Sequence, residues 1–333
     1  MKKEYKKLKR LISKSKNILI LTHKGPDFDG FSSALILKKV LSTLYPKKNI
    51  LFKTNQLPTQ NIPYMQEIQM AQKFETENED LVIMVDAGSW DICTMPDDSI
   101  RLTTAKVAVI DHHNTRPMKD IVLEINEGMS SATEQVIDFL EKAYGKKFVI
   151  TKEISHLAQI GIVFDTGRFL FENTKPETYE LMAKLTKIYR LDMEEFTYKS
   201  EKFPLETLTP LILFIKNLRV KDDMAFTFLT NNDINSNNLI KIGVNSAQQF
   251  VKNNILRYIH GVHWGFIVRP SYAEENAWQV SLRSTKGYQQ VDKIAELLGG
   301  GGHQYSSAAK IVAKDGDEAT KIVLDTISKI VPT

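Results

Sequence analysis

Short apolar runs alternate with helical patterns through the first half of the chain. Four strand-like runs lie near residues 18–22, 49–53, 81–85 and 106–110. Apolar residues at helical spacing occupy three further segments, residues 4–16, Ser32–Leu44 and Ala132–Tyr144. Strands that alternate with helices in this way predict an α/β fold with a mostly parallel sheet flanked by helices.

The pattern changes in the second half. A helical pattern over Thr178–Tyr189 precedes an apolar stretch, Leu205–Leu218, that predicts a connecting helix. Beyond residue 220, alternating runs predict strands at His263–Val268 and Trp278–Arg283, whereas the Asn-rich passage Asn231–Asn238 predicts a loop. These features predict a second, smaller α/β domain.

The chain length supports this division, because 333 residues exceed the usual size of one hydrophobic core. We place the first domain over residues 1–190 and the second over residues 220–333. A helical connection over residues 191–219 is expected between them.

Four apolar runs are each followed by residues that can bind a metal ion. These residues are His23, Asp27 and Asp29 after the first run, Asp86 after the second, Asp111, His112 and His113 after the third, and Asp165 after the fourth. Parallel sheets bind ligands beyond the carboxyl ends of their strands, so we expect His23, Asp86 and Asp111 to converge on one cleft. The repetition predicts a metal-dependent hydrolase.

Each candidate also has an ordinary structural interpretation. Asp29 could cap the helix that follows it, and Asp86 and Asp165 could be turn residues before Gly88 and Gly167. However, a carboxylate as deep as Asp86 needs a partner or a cation to offset its desolvation. Two adjacent imidazoles directly behind Asp111 are the most specific of these signals.

The composition of the chain excludes some classes of binding partner. Lys and Arg number 44 against 40 Asp and Glu, and a net charge of +4 is too weak for a protein that holds long duplex nucleic acid. No apolar run approaches a membrane-spanning length, so no membrane partner is expected. Cys93 is the only cysteine, which excludes an intrachain disulfide and favours a reducing compartment, the cytoplasm.

The donor types also indicate which metal is preferred. Mixed imidazole and carboxylate ligands favour Mn²⁺, with Mg²⁺ and Co²⁺ as alternatives, over a thiolate-bound Zn²⁺ or an all-oxygen Ca²⁺ site. The chain contains no Ser or Cys motif for covalent catalysis, which favours direct attack by hydroxide.

On these motifs the chain resembles the DHH phosphoesterase superfamily, named for the sequence found here as Asp111–His112–His113. All four N-terminal motifs of that family are present in order. The resemblance implies two divalent metal ions, the first bound by His23, Asp27 and Asp86 and the second by Asp29, Asp86, His112 and Asp165. In this arrangement Asp86 bridges the two ions.

The same resemblance implies roles in catalysis for three residues. His113 would face the substrate phosphate, and Asp111 would orient a neighbouring imidazole. Asp86 would be essential because it holds both ions, which activate the attacking hydroxide.

Four consecutive glycines, Gly299–Gly302, precede His303 in the second half and resemble the DHHA1 substrate domain together with the segment Ser281–Ser284. The resemblance implies substrate binding by Arg283, Ser284, Gly300, Gly301, Gly302 and His303. Glycines allow backbone N–H groups to approach an anion, and Arg offers a bidentate fork for phosphate. The structural alternative for the glycine run is a helix C-cap after Ala295–Leu298.

The resemblance is closest to the NrnA-like type. It implies hydrolysis of very short oligoribonucleotides, such as pApA or pGpG, to mononucleotides, and also of 3′-phosphoadenosine 5′-phosphate (pAp) to AMP. Two alternatives remain, a cyclic di-AMP phosphodiesterase and a catalytically inactive nucleotide-binding protein. A homodimer is also left open.

Two single residues and one short segment depart from the family pattern. Phe28 stands where a small residue is usual, and Ser32 where Gly is common. Ser306–Ser307–Ala308 replaces the usual Ala-Ala-Gly, which weakens the expectation that the backbone there packs closely against substrate.

Overall fold

The computed structural model describes residues 2–58, 62–70, 79–90, 92–94, 105–113, 118–272 and 274–330. The chain divides into two units, Met1–Glu201 and Lys202–Thr333. The boundary lies within residues 191–219, the segment that the sequence predicts as a connection. Each unit has its own six-stranded sheet.

The sheet of the first unit is parallel in every described pairing. Its strands are β1 (Asn17–Leu21), β2 (Asn49–Thr54), β3 (Gln69–Met70), β4 (Leu81–Val85), β5 (Lys106–Ile110) and β6 (Leu123–Ile125). The strand order is β3-β2-β1-β4-β5-β6, so β1 and β4 lie at the centre. The predicted α/β fold with a parallel sheet is confirmed.

Both faces of this sheet are buried. In β4, Leu81, Ile83 and Val85 pack into one hydrophobic cluster, whereas Val82 and Met84 pack into another. This alternation follows the two-residue period of a strand. A continuous apolar run is therefore what this strand requires, because neither of its faces contacts water.

Helices flank the sheet of the first unit. They are α1 (Lys3–Lys14), α2 (Phe28–Leu44), α3 (Ala132–Tyr144), α4 (Lys152–Asp165), α5 (Pro176–Thr186) and α6 (Met193–Ser200). Helix α2 is buried over most of its length and packs against α3 and α4. Asp165 is the last residue of α4, so the apolar run before it is helical, unlike the runs before Asp86 and Asp111.

The sheet of the second unit is mixed, with one parallel pairing, β8 with β9, among antiparallel ones. Its strands are β7 (Arg219–Lys221), β8 (Met224–Phe228), β9 (Trp264–Pro270), β10 (Ala277–Ser284), β11 (Gly301–His303) and β12 (Ser306–Val312). The order is β11-β12-β10-β9-β8-β7. This unit is the second sheet domain expected from the sequence.

Five α-helices accompany the second sheet in the described part of this unit. They are α7 (Leu208–Lys216), α8 (Asn231–Ser236), α9 (Lys241–Asn254), α10 (Val291–Leu297) and α11 (Gly316–Ile327). Helices α10 and α11 pack on one face through Ile294 and Val323, and α7 and α9 pack on the other through Phe214 and Val244. Within the described residues, no helix is both long enough and apolar enough to cross a bilayer.

The predicted loop at Asn231–Asn238 is wrong, because most of this segment is helix α8. Thr230 begins the helix with a reciprocal capping arrangement. Its hydroxyl accepts a hydrogen bond from the Asp233 N–H at 3.0 Å, and the Asp233 carboxylate accepts one from the Thr230 N–H at 2.9 Å. This local pairing outweighs the low helix propensity of the asparagines.

Phe28, the first of the departures from the family pattern, is a core residue. Its ring lies 5.1 Å from that of Phe164 and 5.2 Å from that of Phe196, and only 1% of the residue is exposed. We expect Phe28→Ala to lower the free energy of unfolding by about 3–5 kcal/mol, since it leaves a cavity among aromatic rings. Denaturant titration measures this loss.

Leu170→Ala is the matched control, because Leu170 is 80% exposed. Its effect should stay within about 0.5 kcal/mol. A Phe28→Ala variant as stable as this control would contradict the described packing.

Candidate metal centre

The loop between β1 and α2 carries three of the predicted ligands. Asp27 is the N-cap of α2, and its Oδ1 accepts hydrogen bonds from the N–H groups of Asp29 and Gly30 at 3.0 and 3.1 Å. The capping role considered for Asp29 therefore belongs to Asp27, and Asp29 lies in the first helical turn. His23 Nε2 is 3.6 Å from Asp27 Oδ1.

The backbone at His23 is held by the short segment that contains the single cysteine. The Lys24 N–H donates to the Ile92 carbonyl at 2.8 Å, and the Thr94 N–H donates to the Thr22 carbonyl at 2.9 Å. Between these bonds, His23 and the buried Cys93 form an antiparallel bridge. This pairing fixes the start of the loop after β1.

Asp86 follows β4 directly and has a positive φ of 55°. For a residue other than Gly, this left-handed conformation is uncommon and is concentrated at functional sites. Its Oδ2 lies 3.6 Å from His23 Nε2, and its Oδ1 lies 3.5 Å from His112 Nε2. The two oxygens of one buried carboxylate therefore face different imidazoles, as a bridging ligand would.

Asp111, His112 and His113 follow β5. The carboxylate of Asp111 is fully buried, and its Oδ1 lies 2.9 Å from His113 Nδ1, within hydrogen-bonding distance. Burial raises the pKa of Asp111, but the contact with His113 outweighs it and lowers that pKa below its usual value. Asp111 thus orients the half-exposed His113 ring, while His112 is more deeply buried.

His112 Nε2 also faces the remaining two predicted ligands, at 3.3 Å from Asp165 Oδ2 and 3.9 Å from Asp29 Oδ2. Asp29 has a second function. Its two oxygens accept hydrogen bonds from the N–H groups of Ala132 and Thr133, at 2.7 and 2.9 Å. The carboxylate therefore ties the start of α2 to the N-terminus of α3, where the helix dipole favours negative charge.

The sequence gives no indication of this tie between Asp29 and α3, because more than 100 residues separate the two ends. Neither Ala132 nor Thr133 carries a motif of its own. Only the three-dimensional packing of α2 on α3 brings their N–H groups to the carboxylate.

The predicted metal ligands fall into overlapping groups whose donor atoms lie within 4.8 Å of one another. One group is His23, Asp27 and Asp86, another is Asp29, His112 and Asp165, and a third is Asp86, Asp111, His112 and His113. Each of the first two could hold a metal ion. The structure therefore brings together all six residues that the sequence proposes as ligands.

The carboxylates of the site lie close together, and this shifts the pKa values of several of the predicted ligands. Burial disfavours the charged form of His112, but Asp86, Asp29 and Asp165 outweigh it and raise its pKa to about 10. His23 behaves similarly, since Asp27 and Asp86 raise its pKa to about 9 against the effect of burial. Burial and neighbouring carboxylates raise the pKa of Asp165 to about 6. A divalent cation would neutralise this excess charge.

Two of the facing donor atoms have no hydrogen-bond partner in the described part of the chain. They are Asp86 Oδ1 and His112 Nε2, both buried. Buried polar atoms are normally satisfied, and a pair left 3.5 Å apart is too long for a hydrogen bond. Imidazole and carboxylate donors at this spacing fit a divalent transition-metal ion.

The site opens into a cavity of about 390 Å³. It is lined by His23, Lys24, Asp27, Asp86, Ile92, His113 and Asp165. This volume could admit a phosphate group and part of a nucleoside beside the donor atoms.

Two glycines permit the close packing of helices around the carboxylates. A Cβ at Gly30 would lie 3.0 Å from His23 Nε2 and 3.1 Å from Asp86 Oδ2. A Cβ at Gly161 would lie 2.3 Å from the hydroxyl oxygen of Thr133, which is too close. A Cβ at Gly161 would therefore displace the Thr133 side chain, and one at Gly30 would require His23 or Asp86 to shift by a few tenths of an ångström.

The family model of the DHH family, N-terminal domain, matches residues 17–162. This segment is a DHH-family domain. The resemblance deduced from the motifs is confirmed. Asp165 lies just beyond the matched segment, at the end of the same helix α4.

Proteins similar to the whole chain are also known. It is 29% identical over 321 residues to the bifunctional oligoribonuclease and PAP phosphatase NrnA of Bacillus subtilis, with 95% of each protein covered. It is 24% identical over 330 residues to the cyclic-di-AMP phosphodiesterase GdpP of the same organism, covering 94% of this chain and 47% of that protein. On these similarities, the chain is a hydrolase of phosphoester bonds, as predicted.

A solved structure shows the same fold. The exopolyphosphatase-related protein from Bacteroides fragilis superposes with a TM-score of 0.82 at 21% identity, covering 98% of this chain and 96% of that one. The architecture thus extends beyond the DHH domain to the second unit.

The predicted substrate residues lie outside the DHH domain, in the second unit, and point to both faces of its sheet. Arg283, Ser306 and His303 are directly opposed on β10, β12 and β11, so they share one face. Ser284 is next to Arg283 on β10 and points to the opposite face, where it is 1% exposed. The structure therefore does not bring the Ser284 side chain together with that of Arg283.

The glycine run has a structural explanation at several positions. The N–H groups of Gly299 and Gly300 donate to carbonyls of α10, at 3.0 and 2.7 Å, as in the helix C-cap alternative. A Cβ at Gly300 would lie 2.2 Å from the Ala308 carbonyl oxygen, and one at Gly302 would lie 2.7 Å from that of Ser306. Of the three glycines predicted to bind substrate, Gly300 therefore has its N–H group engaged by the Ala295 carbonyl rather than free to approach an anion.

Asp86→Asn tests the bridging position in the DHH domain. The amide keeps the size of the side chain but loses its charge and one acceptor, so both donor groups should bind metal more weakly. We expect Mn²⁺ affinity to fall at least about tenfold and phosphoester hydrolysis to be lost. Metal titration followed by calorimetry measures the first effect.

Asp325→Asn, an exposed change in α11, is the control and should bind Mn²⁺ as the unaltered chain does. Normal metal affinity in Asp86→Asn would contradict the bridging arrangement.

Proposed function

We propose that this protein hydrolyses very short oligoribonucleotides, such as pApA and pGpG, to mononucleotides, and also converts pAp to AMP. The observation that carries the proposal is the position of Asp86, whose two oxygens face two separate groups of donors. The similarity to the NrnA protein of Bacillus subtilis, which spans 95% of both chains, supports this choice of substrates.

In this proposal the site holds two divalent metal ions, with Mn²⁺ as the preferred ion. His23, Asp27 and Asp86 would hold one, and Asp29, Asp86, His112 and Asp165 the other. When bound, such ions activate water for attack on phosphorus and neutralise charge that develops on the phosphoryl oxygens. The mixture of imidazole and carboxylate donors supports Mn²⁺ over Ca²⁺.

His113 is proposed to contact the scissile phosphate. Its ring is half-exposed and lines the cavity, and its Nδ1 faces Asp111 Oδ1. The other nitrogen, Nε2, is therefore the one left to donate to a phosphate oxygen. The contact with Asp111 raises the pKa of His113, which favours the charged imidazolium that binds phosphate most strongly.

The second unit is proposed to bind the substrate, as the resemblance to DHHA1 domains implies. Arg283 and His303 share a sheet face, and both can donate hydrogen bonds to phosphate. We assign residues 1–190 to catalysis, 191–219 to the connection and 220–333 to substrate binding. The single cysteine agrees with a cytoplasmic protein.

Hydrolysis of cyclic di-AMP is the second candidate. The similarity to GdpP favours it, although this chain covers only 47% of that protein. Both candidates use the same metal centre, so they differ only in the substrate that is turned over.

Product analysis over time distinguishes them. The purified chain with Mn²⁺ would be offered pApA, pGpG, a five-residue RNA, pAp, cyclic di-AMP and pyrophosphate in parallel. We expect linear dinucleotides and pAp to be consumed rapidly, with cyclic di-AMP spared. The Asp86→Asn variant, prepared in the same way, controls for contaminating nucleases.

Faster hydrolysis of cyclic di-AMP than of the linear substrates would support the second candidate function instead of the first. If the metal-bound protein hydrolysed none of these substrates, both candidate functions would be contradicted.

A further inference from the structure

The two carboxylates in the donor group of Asp29, His112 and Asp165 are held in different ways. Asp29 accepts hydrogen bonds from the N–H groups of Ala132 and Thr133, at 2.7 and 2.9 Å. In the part of the chain that the structure describes, no hydrogen bond holds the Asp165 carboxylate, although its Oδ2 lies 3.3 Å from His112 Nε2. The position of Asp165 therefore depends on its backbone.

Asn173 binds that backbone. Its Nδ2 donates to the Asp165 carbonyl at 3.2 Å and to the Ser130 carbonyl at 2.7 Å. Asp165 is the last residue of α4, and the carbonyls of a final helical turn lack intrahelical donors. Since both neighbours are acceptors, they also fix the orientation of the amide, with Nδ2 towards them. One side chain therefore joins the end of α4 to the segment before α3.

This side chain completes a connection between two proposed ligands. Ser130 lies two residues before Ala132, whose N–H group donates to Asp29 Oδ2. Asn173 holds Ser130 on one side and Asp165 on the other. The connection thus runs from one carboxylate of the donor group, through the start of α3, to the residue that carries the other.

Two further contacts join the same segments without involving the end of α4. Thr178 Oγ1 donates to Glu134 Oε2 at 3.0 Å, and the same oxygen accepts the Ser130 N–H at 3.1 Å. Lys175 Nζ also donates to the Gly128 carbonyl. These contacts should hold the segments together when the amide is removed. Its loss should therefore act on the end of α4 rather than on the fold.

We propose that Asn173 is a positioning residue, which fixes Asp165 relative to Asp29. It thereby sets the spacing of the donor group that these two carboxylates form with His112. Groups that orient metal ligands contribute to metal affinity although they do not touch the ion. The group that contains His23 follows β1 and does not depend on this connection. The proposal rests on the proposed function, which requires both ions.

Mn²⁺ binding to the full chain tests this role without turnover. Calorimetry should resolve two binding events in the unaltered chain. Asn173→Ala should weaken one of them roughly tenfold and leave the other within about twofold. Two Mn²⁺ ions bridged by one carboxylate give a coupled EPR spectrum. The variant should therefore show the spectrum of a single ion at Mn²⁺ concentrations where the unaltered chain shows the coupled one.

Gln159→Met is the matched control, because Gln159 also joins α4 to a later segment. Its Nε2 donates to the Tyr189 carbonyl at 2.8 Å, and its Oε1 accepts the Leu191 N–H at 3.2 Å. This change should lower the midpoint of thermal unfolding but leave both Mn²⁺ affinities unchanged. Asn173→Leu removes the donor and keeps a side chain of similar shape. It should reproduce the effect of Asn173→Ala, and it replaces that variant in the test if the alanine chain does not fold.

Asp165→Asn shows whether Asn173 acts through Asp165. In that background, adding Asn173→Ala should change the affinity for the weaker ion by less than about twofold, because the positioned carboxylate is already lost. The proposal is overturned if the two changes are additive. It is also overturned if Asn173→Ala weakens both ions equally or weakens neither.

These outcomes are separate from a failure of the proposed function. A chain whose second Mn²⁺ ion depends on Asn173, yet which releases no mononucleotides, would retain this positioning role and lose the proposed activity. An unaltered chain that binds fewer than two ions would overturn both.

Discussion

Desolvated negative charge at the carboxyl edge of the parallel sheet constrains the rest of the first unit. Asp29, Asp86 and Asp111 are all at most 3% exposed, and each buried carboxylate needs compensation. Asp111 finds it in the close contact with His113, and Asp29 in the N-terminus of α3. In the described part of the chain, Asp86 Oδ1 has no hydrogen-bond partner and lies 3.5 Å from the His112 imidazole, so its compensation depends on a cation.

This constraint explains features of the chain that are distant from one another. Helix α2 begins at the site, α3 supplies N–H groups to it, and α4 ends at it with Asp165. Gly30 and Gly161 allow these helices to approach. The backbone strain at Asp86 belongs to the same arrangement, since the residue with the positive φ is the one whose two carboxylate oxygens face His23 and His112.

Much of the first unit could be predicted because the signals are local. The run before Asp86 predicts a strand at residues 81–85, and Leu81–Val85 is that strand. Asp165 could not be located in this way, because an apolar run of its length fits a helix as well as a strand. The link from Asp29 to α3 depends on packing between distant segments.

The backbone bridge between His23 and Cys93 has a practical consequence. The only thiol in the chain, at Cys93, is fully buried and its residue pairs with the backbone of His23, a proposed ligand. A thiol-specific reagent can therefore reach it only when the two paired segments separate. The rate of labelling of the Cys93 sulfur would report how often the loop that carries His23 opens. A lower labelling rate with added metal would measure how strongly a bound ion stabilises the closed loop.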